Sequence, residues 1–224
     1  MNKGSGFFGV LLTIVIVVTV ALLGYLAYDY GSKYIISQEA AKVVDEFENE
    51  LENIITVDIT DENEITNEIS TNTGDNNNTV NSSSSNTQTS NVKYRGYNVI
   101  GTLQIPKTKV KYPIVDSTSS NAMDVAIVML YGPGLNEKGN TVIVGHNYRN
   151  GGFFGNNKKL EAGDKIYITD SEGNKVEYTI YNKYMTTDSD FSYATRNTNG
   201  KREISLSTCT NDSSKRLVIW AKEN

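Results

Sequence analysis

Reactive and metal-binding side chains are nearly missing from this 224-residue sequence, which has one cysteine, Cys209, and one histidine, His146. A lone thiol excludes an internal disulfide, so Cys209 is either an inert buried thiol or a free reactive one. With no second histidine or cysteine, a metal site is not expected, and no cofactor is implied. Nor is there a basic run with interleaved aromatic residues, which argues against nucleic acid as a partner. Charge is missing from Gly4 to Tyr28, and aromatic residues are missing from residues 56–91. The first gap excludes a globular start to the chain, and the second excludes a packed core in that stretch.

The uncharged run FFGVLLTIVIVVTVALLGYLAY is long enough to cross a bilayer as a helix, and residues 1–28 therefore read as a cytoplasmic N-terminus with a transmembrane anchor. Its length and the want of a small-x-small site after it favour an anchor over a cleaved signal peptide. Lys3 before the run places the N-terminus in the cytoplasm by the positive-inside bias, and the rest of the chain outside the cell.

Residues 29–55 carry Ile36, Ala40, Val43, Val44, Phe47, Leu51 and Ile54 at three- and four-residue steps among acidic residues. That spacing predicts an amphipathic stalk helix. Residues 56–91, with NNNTVNSSSSNTQTSN at their centre, read as a disordered Asn/Ser/Thr-rich tether.

The remaining 92–224 form the candidate folded domain. Residues 29–91 hold thirteen acids and two bases, whereas 92–224 hold thirteen acids and eighteen bases. A net of about −11 thus gives way to about +5, which suits a domain drawn to anionic wall polymers or headgroups. Seven or eight short β-branched or aromatic runs, among them NVIGTLQIP, TVIVG, KIYIT and EISLST, are separated by turn signals such as SEGN and NTNG. They predict a mainly all-β domain, an antiparallel barrel or sandwich, in which closure would remove the sheet edges. The best helix candidate is Ser119 to Leu130.

Two places in this domain carry chemistry. In ISLSTCTNDSSKRLVIW, Ile204 to Trp220, the strand alternation ends at Cys209, a turn follows, and Arg216 opens the next apolar strand. Pairing of the two strands would return Arg216 beside Cys209, where a guanidinium can favour the thiolate or hold a carbonyl oxygen as charge develops. His146, in TVIVGHNYRNGGFFG, follows a strand and opens a loop, where rigid scaffolds present reactive groups.

The set TVIVGHNYRNGGFF around His146, SLSTC ending at Cys209, and Arg216 seven positions later resembles the three signatures of the sortases. These are Gram-positive cysteine transpeptidases that join surface proteins to the cell wall or to one another. VIGTLQIPKTKVKYPIV is similar to the first strands of their barrel, and the resemblance covers Val92 to Lys222. The GHN and STC motifs are nearest class B, but the 63-residue interval from His146 to Cys209 lacks room for the helix that class B inserts there.

The resemblance implies a closed, sortase-type barrel of about seven to eight strands with one or two short helices. It also implies a catalytic set of Cys209 as nucleophile, His146 as acid and base, and Arg216 as oxyanion donor, with Thr208 contacting the bound motif. The substrate would be a sorting-signal peptide of the Leu-Pro-X-Thr-Gly type, and the acceptor an amine of a wall precursor or another protein. Two alternatives remain open on the residues alone: a cysteine hydrolase using the same dyad, and a non-catalytic membrane-tethered β-domain that binds wall or host ligands.

Overall fold

The computed structural model describes residues 4–64, 90–148 and 151–224. The chain divides into two compact units, one reaching Glu39 and one running from Ala40 to Asn224. Helix α1 spans Gly4–Glu64. In the first unit its apolar side chains stand exposed from Phe8 to Ile35, and Phe8–Ile54 holds a stretch long and apolar enough to cross a membrane. The helix runs past the boundary expected at residue 55. The central part of the expected tether, residues 65–89, lies outside the described residues.

The second unit is a β-barrel with the later part of α1 packed on it. Nine strands follow in order: β1 (Lys93–Tyr94), β2 (Tyr97–Ile105), β3 (Val110–Val115), β4 (Ile127–Tyr131), β5 (Gly139–Val144), β6 (Lys165–Asp170), β7 (Lys175–Thr187), β8 (Arg202–Cys209) and β9 (Lys215–Glu223). The sheet order is β1-β2-β3-β4-β5-β8-β9-β7-β6, and β6 pairs back onto β2, which closes the eight strands β2 to β9 into a barrel with the short β1 outside the closure. Gly101 sits in that closing seam opposite Asp170. A Cβ there would collide with the Thr169 carbonyl oxygen and Leu135, so the seam closes at this distance only over glycine.

The barrel departs from the expected antiparallel pattern at two pairings, β3–β4 and β5–β8, which are parallel. Parallel neighbours need a crossover. Helix α2 (Ser120–Val125) supplies the first, and the β6–β7 hairpin with the loop after it supplies the second. The core is filled by fully buried aliphatics such as Leu103, Ile114, Ile127, Ile143, Ile166, Leu206 and Ile219.

The helix expected from Ser119 to Leu130 is shorter than its sequence suggested. Ser119 caps it, its Oγ accepting from the Ala122 amide at 3.2 Å, but the backbone turns extended at Ala126. Ile127 and Val128 then join β4 opposite Ile114 and Val115. Their β-branched side chains gain more in the sheet, buried on both sides, than on a half-exposed helix turn.

The amphipathic face of α1 is where the sequence put it, yet it does not serve a free stalk. Ala40, Val44 and Phe47 are fully buried and Leu51 nearly so, with Phe47 and Leu51 in one core cluster with Val92 and Tyr94. Polar contacts border this strip. Glu48 accepts from Gln104 Nε2 at 2.9 Å and from Thr102 Oγ1 at 3.3 Å, Lys111 pairs with Asp45 at 2.5 Å, and Glu50 accepts from the Asn91 amide at 3.2 Å. Thr102, Gln104 and Lys111 alternate with the core side chains of β2 and β3, so the helix covers the outer face of those strands.

Candidate active site

The site lies where β5, β8 and β9 end together. Parallel pairing runs from Gly139 opposite Arg202 to Val144 opposite Ser207. Continued two residues past its last pair, this register would bring His146 level with Cys209. Contacts beyond the last ladder pair extend this alignment. The Gly145 amide donates to the Ser207 carbonyl at 3.4 Å, Thr208 Oγ1 donates to the Gly145 carbonyl at 2.7 Å, and Asn147 Nδ2 donates to the Cys209 carbonyl at 2.9 Å.

The expected hairpin is also present. Cys209 pairs with Arg216 across β8 and β9, so their side chains share a face. Arg216 Nη1 stands 3.9 Å from Cys209 Sγ, and its Nε donates to the Asp188 carbonyl at 3.2 Å. Its guanidinium also lies 5.5 Å over the Phe191 ring. The loop between β7 and β8 thus holds the arginine from behind and leaves one edge of the fork toward the half-buried free thiol.

His146 is held from the other side by a group the sequence reading passed over. Its Nε2 lies 3.1 Å from Asp124 Oδ1, near the end of α2, and the side chains are 41% and 66% exposed. The hydroxyl of Tyr148 donates to the Asp124 carbonyl at 3.3 Å, and its ring tilts against the imidazole with centroids 5.4 Å apart. Tyr148 leans in turn on Phe153, which stacks on Tyr112 at 4.9 Å. Gly155 passes beneath this loop, and a Cβ on it would collide with the Tyr148 carbonyl oxygen. Asp124 was hidden because it stands inside a run read as one helix, with no local pattern linking it to a histidine 22 residues away.

Of the four residues expected at the site, the structure brings His146, Cys209 and Arg216 to one end of the barrel. Thr208 is there too, but it is only 4% exposed and its hydroxyl is engaged with Gly145.

A groove of about 420 Å³ ends at Cys209. Phe154, Met185 and Leu217 give it an apolar floor, and Lys158 and Lys215 also line it. Its one acid, Asp212, accepts from Thr210 Oγ1 at 2.6 Å and from the Ser214 amide at 3.1 Å. The Thr210 hydroxyl above all, with the Ser214 donors, holds the Asp212 carboxyl down at about 2.

Comparison with known proteins finds one family throughout. The model of the sortase domain matches residues 103–224. A sortase A of Bacillus anthracis is 32% identical over 136 residues, which is 59% of this chain and 63% of that protein. Among solved structures, sortase A from Corynebacterium diphtheriae superposes with a TM-score of 0.52 at 27% identity, over 57% of this chain and 61% of that one. A Clostridium perfringens sortase D5 transpeptidase gives the same score and identity over 57% and 79%. The chain therefore spans somewhat less than two thirds of the length of the B. anthracis and C. diphtheriae relatives.

Proposed function

The chain belongs to the sortase family, and from that premise we propose that it is a membrane-anchored cysteine transpeptidase that transfers a sorting-signal peptide to an amine. The observation that supports this most is the strand register, with Arg216 paired to Cys209 and 3.9 Å from its sulfur while His146 follows two residues after the end of the parallel neighbour strand β5.

Cys209 Sγ attacks the carbonyl carbon of a Thr–Gly-type bond in a Leu-Pro-X-Thr-Gly-like motif. The oxygen becomes negative, and the Arg216 fork, fixed by Asp188 and Phe191, donates to it. His146 gives its proton to the departing amine nitrogen, the C–N bond breaks, and a thioester on Cys209 remains. An acceptor amine then attacks that carbonyl and passes a proton to the neutral imidazole, and the C–S bond breaks to return the thiolate. The Thr208 hydroxyl, bonded to Gly145, keeps the strand end that carries His146 in register, and its remaining surface beside the thiol meets the bound acyl group. The acceptor is a wall precursor or another surface protein. The apolar part of α1 anchors the chain, with its N-terminus in the cytoplasm and the barrel outside.

The test uses the full chain in detergent with Leu-Pro-X-Thr-Gly and class B-type sorting peptides plus hydroxylamine, read by mass spectrometry beside Cys209→Ala. A hydroxamate cut after Thr that requires Cys209 is the expected product. Free acid in place of hydroxamate would make the protein a hydrolase, and intact peptides throughout would leave a binding domain.

A further inference from the structure

The backbone ladder between β5 and β8 stops short of the side chains that react. Its last pair is Val144 with Ser207, and the main-chain bond beyond it, from the Gly145 amide to the Ser207 carbonyl, is long at 3.4 Å. His146 and Cys209 both lie past that point. There the two strand ends are joined by side chains: Thr208 Oγ1 donates to the Gly145 carbonyl at 2.7 Å, and Asn147 Nδ2 donates to the Cys209 carbonyl at 2.9 Å.

Asn147 reaches β8 from a fixed base. Its backbone is bridged to Phe153, and the carbonyl of His146 just before it accepts from the Phe154 amide at 2.9 Å. A carbonyl oxygen can only accept, so Cys209 sets which end of the Asn147 amide faces it. The same Nδ2 also donates to Asn211 Oδ1 at 3.0 Å. One amide, directly after the histidine, thus holds the residue that carries the thiol and the second residue after it. Misplacing reacting groups by about 1 Å costs about 10²-fold in rate, far more than one half-buried hydrogen bond contributes to stability.

We propose that Asn147 is a positioning residue for the transfer reaction: its amide takes over where the ladder ends and holds Cys209 at working distance from His146. The inference rests on the transpeptidase reading above. Asn147 acts through the Cys209 main chain rather than on the reacting atoms. Without the amide, Cys209 still pairs with Arg216 across β8 and β9, so the thiol keeps its arginine and drifts from its histidine. The step that suffers is therefore the one that needs His146. As the new C–S bond forms and the C–N bond breaks, the departing amine must take its proton from the imidazole. A leaving group that departs without a proton does not need that distance kept.

The experiment uses the full chain in detergent with the sorting peptide and hydroxylamine, beside a second peptide in which a thiol replaces the leaving amine. On the amide peptide, Asn147→Ala should lower kcat by about tenfold to a hundredfold and leave KM within about twofold. Acylation of Cys209 by the thioester peptide, whose thiolate leaves without a proton, should fall by less than about threefold. Asn147→Gln keeps the donor on a longer stem and should recover part of kcat, whereas Asn147→Asp has no donor and should not. Asn211→Ala leaves the bond to Cys209 in place and should stay within about threefold of the wild type. Equal losses on the two peptides, wild-type turnover in Asn147→Ala or Asn147→Asp, or an Asn211→Ala defect as large as that of Asn147→Ala would overturn the assignment. Each would leave hydroxamate formation by the wild type, and so the transpeptidase reading, intact. Absence of any hydroxamate in the wild type would remove both.

Discussion

Asp124 Oδ1 lies 3.1 Å from His146 Nε2, and the Asp124 carbonyl accepts the Tyr148 hydroxyl two residues further on. One residue at the end of α2 thus grips the histidine loop at two points, through its side chain and its backbone. The carboxylate fixes the ring plane, a positioning role rather than a catalytic one. Both side chains are well exposed, so the pair is worth at most about 1 kcal/mol. Asp124→Asn should therefore lower kcat by about fivefold or less, by the usual conversion of barrier to rate. The difference from wild type should narrow in high salt, which screens exposed pairs. A loss that ignores salt would point to a misfolded loop instead.

Arg216 uses two separate guanidinium nitrogens at once, Nε on the Asp188 carbonyl and Nη1 toward Cys209 Sγ, with its plane over Phe191. A lysine supplies one point charge and cannot meet these demands together. Arg216→Lys should cut kcat by about 10²–10³, the range for loss of an oxyanion donor. Native labelling of Cys209 by a thiol reagent should persist, since the strand pairing does not depend on the guanidinium. Turnover within a few fold of wild type would make Arg216 a structural charge.

Local patterns carried much of this molecule. Period-2 alternation gave the β8 strand, turn composition gave the return to β9, and the pairing of Cys209 with Arg216 follows from those two alone. What stayed hidden depended on contacts distant in sequence. The arrival of His146 and Cys209 at one end of the barrel arises from a parallel pairing of β5 and β8, and nothing local distinguishes parallel from antiparallel partners. Ile127 and Val128 read as helix because their neighbours are helical in spacing, while β3 recruits them into a sheet. Asp124 lies in the part of that run that is helical, and nothing local links it to His146 22 residues on. The α1 face was legible as amphipathic, but its occupant, the outer surface of β2 and β3, was not, because Thr102, Gln104 and Lys111 look like solvated strand residues.

Tyrosine ionisation should limit stability at high pH. Burial first, and then the hydrogen bond to Glu203, pushes Tyr181 up to about 12 from its ordinary 10. Burial likewise raises Tyr178, whose hydroxyl donates to Asn136 Oδ1 at 3.0 Å. Both pKa values are higher folded than unfolded, so their contribution is complete below about pH 10 and is lost as pH rises toward 12. The denaturant midpoint should fall across that window, and Tyr181→Phe should flatten part of the fall. A midpoint unchanged from pH 10 to 12 would mean that the two hydroxyls reach solvent.

A barrel cut free at residue 92 would lose a wall rather than a tether. Phe47 is fully buried, Ala40, Val44 and Leu51 are buried beside it on the same helix face, and Asp45, Glu48 and Glu50 bond strand and linker groups along its edges. Removing 1–91 would expose the apolar surface they cover on the barrel, while removing only 1–39 leaves the second compact unit whole. The chain from residue 40 should therefore be the more stable of the two truncations. Phe47→Ala tests the same contact without truncation: loss of a buried phenylalanine costs about 3–5 kcal/mol. At roughly 2–4 °C per kcal/mol for a domain of this size, the melting temperature should drop by about 6–20 °C. Asn53→Ala, exposed on the same helix, should change it little. Equal melting temperatures for the 40–224 and 92–224 chains, with Phe47→Ala neutral, would show that α1 stands free of the barrel and acts as a stalk after all.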